Sequence, residues 1–185
     1  MARNSLIWPM FLALIAGCTN TPVKPGEEDV TLDQHLPLRL AVYMSPEDYA
    51  LQIQHYYNPR IHFESPRWTE EGKLVRSAAL AAFAPLVEQV LPRDEMPMPD
   101  LIIRVRGNSF FNPGSQNFYI DVSAACYLPN GKEIGSFQAK WVAKTVIIFH
   151  ERELEKGYVA AFQDIGRQLL QSGTMSDAMR QRATN

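Results

Sequence analysis

The chain has 185 residues, 46% of them apolar and 21% charged, with 18 Lys and Arg against 20 Asp and Glu and a formal charge of -2. This composition excludes a disordered chain, a collagen-like repeat and a coiled coil, and the near balance of charge excludes the strong positive field of a dedicated nucleic-acid binder. Its 2 cysteines are too few for a disulfide scaffold or a thiolate metal cage, a single apolar stretch near the start excludes a polytopic membrane protein, and the length suits one domain.

Residues 1–17 read as a signal peptide. Arg3 supplies a positive start, and Leu6 to Ile15 form an apolar run that is too short to span a bilayer, which takes roughly 20 residues. The segment Leu14-Ile15-Ala16-Gly17-Cys18 closes that run and resembles the lipobox of bacterial lipoproteins. The resemblance implies cleavage between Gly17 and Cys18, with Cys18 as the acceptor of the lipid. Acyl chains contribute about 0.8 kcal/mol per buried methylene, so several of them anchor a protein without a transmembrane helix. Inner-membrane retention in that family typically uses an Asp after the cysteine, whereas this chain has Thr19, which points to the periplasmic face of the outer membrane. With Cys18 acylated, Cys126 is left as a lone thiol, expected as a small buried hydrophobe.

Residues 18–35 hold the lipidated cysteine and a tether: Pro22, Pro25, Gly26 and the acidic run Glu27-Glu28-Asp29 show no apolar periodicity. A single domain is expected over residues 36–172. Leu38, Leu40, Val42 and Met44 alternate with Arg39, Ala41 and Tyr43, the period-2 signature of a strand. Ser45-Pro46-Glu47-Asp48 reads as a helix start, and the helix is expected to reach about Tyr56, where Tyr57-Asn58-Pro59 breaks it before a short strand at Arg60 to Glu64. A longer helix opens at Thr69 with Glu70 and Glu71, and Leu80, Phe83, Val87 and Val90 continue at helical spacing, with Pro85 predicted to kink or split it.

Three strands follow a proline-rich connection. Leu101, Ile103 and Val105 alternate with Ile102, Arg104 and Arg106; after a turn at Asn112-Pro113-Gly114, Phe118, Ile120, Val122, Ala124, Cys126 and Leu128 share one face. Pro129-Asn130-Gly131 signals a hairpin into a strand carrying Phe137, Ala139, Trp141, Ala143, Ile147 and Phe149, with Gly135 and Thr145 as sites for a bulge. Leu154, Tyr158, Ala161, Phe162, Ile165 and Leu169 make an amphipathic helix ending at Gly173, and residues 173–185 read as a polar, fraying tail. The expected fold class is α+β: a largely antiparallel sheet of four to five strands, with helices packed mainly on one face, in the order strand–helix–strand–helix–strand–strand–strand–helix.

No catalytic or metal constellation emerges. His150-Glu151 lacks a second histidine four residues on, where Leu154 stands, and a Pro-containing break separates His55 from His62. No nucleophile elbow, phosphate loop or dinucleotide fingerprint appears, so neither an enzyme nor a cofactor is expected. The residues singled out for a partner surface are the aromatics beside turns, Tyr56, Tyr57, Phe110 and Phe111, and the alternating Arg104 and Arg106.

A lipobox, a tether and this element order over most of residues 36–172 together resemble small envelope lipoproteins with a YajG-like or CsgG/TolB-N-terminal-like domain. The resemblance implies a non-catalytic accessory subunit of an envelope assembly, secretion or transport machine, held at the membrane by its lipid, with an envelope protein as partner and copies of the chain sometimes forming a ring. The alternative expectation is a binding module for lipid, lipopolysaccharide or peptidoglycan. Nucleic acid is not an expected partner.

Overall fold

A computed structural model describes residues 35–55, 67–92, 98–112, 114–115, 117–144 and 150–182. In chain order they form β1 (Leu36–Tyr43), α1 (Pro46–Tyr49), β2 (Ile53–His55), β3 (Arg67–Thr69), α2 (Glu71–Phe83), a single 3-10 turn (Ala84–Leu86), β4 (Val87–Pro92), β5 (Leu101–Asn112), β6 (Asn117–Tyr127), β7 (Glu133–Lys144), α3 (His150–Gln171) and α4 (Thr174–Arg182). The fold is α+β around a mixed five-stranded sheet in the order β4-β1-β5-β6-β7, and β2 pairs with β3 in a separate ribbon.

The sheet is antiparallel only where hairpins build it, from β5 through β6 to β7. β1 lies inside the sheet, parallel to both β4 and β5. Parallel neighbours require a crossover, and α2 is the crossover between β1 and β4. The expectation of helix over Val87 and Val90 is corrected here. Pro85 falls in the 3-10 turn, lacks the N–H a continuing helix needs, and the chain leaves the turn fully extended into β4. Helix α1 is also shorter than its start signal suggests. Ser45 caps it, its hydroxyl accepting from the Asp48 N–H at 3.1 Å. It nevertheless stops at Tyr49, because the Leu51 carbonyl accepts from the Gly72 N–H at 3.1 Å and the next residues pair with β3. Tertiary pairing overrides the local helical signal. The expected strand at residues 60–64 lies outside the described residues.

Strand alternation settles what is buried. Leu38, Leu40 and Val42 of β1, Leu101, Ile103 and Val105 of β5, and Phe118, Ile120, Val122, Ala124 and Cys126 of β6 all enter one core. Helix α2 contributes Val75, Ala78, Ala82 and Phe83 to it, and α3 contributes Leu154, Tyr158, Phe162, Ile165 and Leu169. The Phe83 and Phe162 rings meet edge to face at 5.9 Å and 68°, joining the two helices. Gly173, at φ +76°, turns the chain out of α3. The fraying tail expected beyond it is corrected too: α4 follows, and Met175 and Ala178 are buried in the same core. Two apolar residues three apart suffice to seat a short helix that is polar elsewhere.

Register in β7 depends on one irregularity. β6 and β7 pair regularly from Asn117↔Lys144 to Cys126↔Gly135, then shift so that Tyr127 faces Glu133. Ile134 is therefore the extra residue of a bulge beside Gly135, where irregularity was expected. A one-residue shift flips every side chain to the other face, so the bulge is what turns Ala139 and Ala143 inward and Lys140 and Val142 outward.

Cys126 is fully buried in the apolar row of β6, and burial pushes its thiol up to about 12. Only the thiolate reacts, so Cys126 should resist a thiol reagent such as dithionitrobenzoate in the native protein and react completely in denaturant. Rapid native labelling would contradict its place in the core.

Candidate functional site

Outward positions on β5, β6 and β7 fall into cross-strand rows. Phe110, Tyr119 and Val142 are directly opposite one another, as are Asn108, Asp121 and Lys140, and then Arg106, Ser123 and Gln138. Neighbours within a row are on adjacent strands, roughly 5 Å apart, and successive rows are separated by two residues, roughly 7 Å. The first row is apolar and open to solvent: Phe110 is 63% exposed, Tyr119 40% and Val142 47%.

The two polar rows form the floor of an open cavity of about 610 Å³. Asp48 and Leu51 wall it from the segment around α1, which reaches this face because β1 pairs with β5 only as far as Arg104. The Arg106 Nε donates to Asp48 Oδ2 at 2.9 Å, and the Ser45 hydroxyl donates to the same oxygen at 2.6 Å. Burial acts to raise the Asp48 carboxyl, but the hydrogen bonds from Ser45 and Arg106 outweigh it and hold it below the usual carboxylate range. Lys140 Nζ lies 3.5 Å from Asp121 Oδ1, an exposed and therefore weak pair.

The sequence-derived candidates divide by strand parity. Phe110 is on the open face as expected. Phe111 is not: it is only 9% exposed and packs against Phe118 with ring centroids 5.0 Å apart. Adjacent strand residues point to opposite faces, so a Phe-Phe pair cannot present both rings to one partner. Arg104 and Arg106 share the open face; Arg106 is committed to Asp48, while Arg104 is half-buried, its Nε without a partner among the described residues. Tyr56, Tyr57, Gly17 and Cys18 lie outside the described residues. Tyr119, Asp121, Asn108, Lys140 and Val142 were not singled out by sequence reasoning. Their outward parity was legible; their alignment into rows required the register of two hairpins and the bulge.

A second polar cluster lies on the inner face. Glu71, in the first turn of α2, is fully buried, and its Oε1 accepts from Ser109 Oγ at 2.5 Å and from the Tyr158 hydroxyl. Its Oε2 has no partner among the described residues. Burial raises the Glu71 carboxyl above its ordinary value, and hydrogen bonding from the Ser109 and Tyr158 hydroxyls and the Ser109 backbone offsets this only in part. Gly107 makes room for the cluster: a Cβ there would lie 2.9 Å from both Tyr158 Cε1 and Val75 Cγ2. Among the described residues no group of three or more His, Cys, Asp or Glu could hold a metal, and no helix is long and apolar enough to cross a membrane.

No protein-family model matches the sequence, and no curated protein matches it. Among solved structures, the chain is similar to a candidate lipoprotein from Caulobacter crescentus CB15, with 16% identity over 61% of this chain and 83% of that one, at a TM-score of 0.37. It is also similar to an uncharacterized protein, with 14% identity over 74% of this chain and 96% of that one, at a TM-score of 0.41. No residue role is carried over from either.

Proposed function

We propose that the chain is an outer-membrane-anchored lipoprotein on the periplasmic face, acting as a non-catalytic accessory subunit of an envelope assembly, secretion or transport machine. The observation that carries this reading is Leu14-Ile15-Ala16-Gly17-Cys18 at the end of an apolar run too short to span a bilayer. The burial of Cys126 supports it, since Cys18 is then the cysteine left for modification. In this reading the helices lie mainly on one face of the sheet, which leaves the opposite face open.

The test uses Cys18→Ala in cells fed a palmitate analogue. Wild type should carry the label and fractionate with outer membranes, while the variant should remain an unlabelled, uncleaved precursor. Equal labelling of the two would remove the lipoprotein assignment. Cross-linking from tether and domain positions should recover a discrete envelope protein or a ladder of copies; recovery of the monomer from every position would count against the accessory role.

A further inference from the structure

The geometry points to a glycan-binding surface on the open face of β5, β6 and β7, with a pyranose ring stacked on Tyr119 and Phe110 and the hydroxyls of the adjoining sugar hydrogen-bonded to Asn108, Asp121 and Lys140. A sugar ring has an apolar C–H face and a rim of hydroxyls, so its binding site needs an exposed aromatic ring beside planar polar side chains. This face offers both, about one strand repeat apart, in rows that cross three strands.

Charge narrows the class of ligand. The four charged side chains lining the cavity, Asp48, Arg106, Asp121 and Lys140, oppose each other in two ion pairs, so the lining itself carries no net charge; Arg104, one row beyond it, adds a single positive charge that also acts on Asp48. Asn108, Ser123 and Gln138 spend no side-chain hydrogen bond on the described residues, which leaves amides and a hydroxyl to exchange with sugar hydroxyls. A protein partner fits less well. Protein interfaces are depleted of charge at their centre, whereas here the apolar row is one residue deep on each strand and a charged floor begins directly beside it. The inference goes beyond the accessory role and does not depend on the lipid anchor.

The full chain, as isolated from the cells that make it, is titrated by calorimetry with chitohexaose, a soluble chain of N-acetylated pyranoses. It is also co-sedimented with isolated peptidoglycan sacculi and titrated with lipopolysaccharide bearing a long polysaccharide, against lipid A alone. Saturable binding of at least one glycan is expected, and which arm responds identifies its source. Tyr119→Ala and Phe110→Ala should each weaken that binding by about tenfold, as truncation of a central aromatic contact does. Asp121→Asn should weaken it by severalfold. Met98→Ala, at the opposite end of β5, should leave it unchanged. All of these positions are exposed, and melting curves check that the variants fold. No binding in any arm, or binding insensitive to Tyr119→Ala and Asp121→Asn, would overturn the inference. So would lipid A competing fully, or loss in these variants of a co-purifying protein in place of a glycan. Palmitate labelling is indifferent to all of these outcomes, so failure here is distinguishable from failure of the lipoprotein reading.

Discussion

Phe162→Ala is expected to lower the melting temperature by roughly 10–15 °C. Phe162 is fully buried and its ring is the edge-to-face partner of Phe83, so truncation removes apolar burial from α3 and a packing contact from α2 at once. Phe-to-Ala changes in closed cores cost about 3–5 kcal/mol, and the lost aromatic pair belongs to that range. Against a typical total stability of about 5–15 kcal/mol that is a large share, and for a chain of this size each kcal/mol moves the melting temperature by roughly 2–4 °C. Urea titration should show a lower midpoint with an unchanged slope, since the native fold and the surface exposed on unfolding stay the same. The adjacent pair in β5 is an internal control. Phe111→Ala should cost about 2–4 kcal/mol, whereas Phe110→Ala, on the solvent face, should stay within about 0.5 kcal/mol. Equal effects at Phe110 and Phe111 would contradict the strand parity that separates them.

Stability should also fall as pH rises through the range above the ordinary glutamate value, and Glu71→Gln should abolish that fall. Glu71 is the source because its carboxyl is raised in the folded state by burial, offset only in part by hydrogen bonding from Ser109 and Tyr158. In the unfolded chain Glu71 ionises near its ordinary value of 4.5. Between that value and the folded one, the native state binds the extra proton, so unfolding becomes easier with each step up in pH. Stability from this group is fully present below the unfolded value and lost as pH passes the folded one. Above the folded value the protein holds a buried carboxylate whose Oε2 has no hydrogen-bond partner among the described residues. Glu71→Gln keeps an acceptor for Ser109 and Tyr158 without the charge and should stabilise the protein by about 1–3 kcal/mol at high pH, with the gain vanishing at low pH. Tyr158→Phe should steepen the wild-type dependence, because it removes one of the hydrogen bonds that favour the ionised form. Denaturant midpoints from pH 4 to pH 9 check all three proteins. A difference between wild type and Glu71→Gln that stays constant over that range would refute the account.

Which residues enter the core of β5, β6 and α3 was decided by local pattern. Leu101, Ile103 and Val105, the row from Phe118 to Cys126, and the helical stripe from Leu154 to Leu169 are all buried where period 2 and period 3.6 place them. The turn at Pro129-Asn130-Gly131 and the stop at Gly173 were legible for the same reason: backbone conformation there depends on one or two residues. Tertiary structure decided what depends on partners distant in sequence. Val87 and Val90 suit a helix face as well as a strand, and they became β4 because β1 offered an unpaired edge beyond the break at Pro85. Helix α1 stopped early because Leu51 found Gly72, and Glu71 became a buried acid only because Ser109 and Tyr158 arrived from β5 and α3. The open-face rows are of the same kind. Outward parity is a property of each strand alone, but Phe110, Tyr119 and Val142 meet only through the register of two hairpins and the bulge at Ile134, since a period of two says which face a residue takes and nothing about who stands beside it.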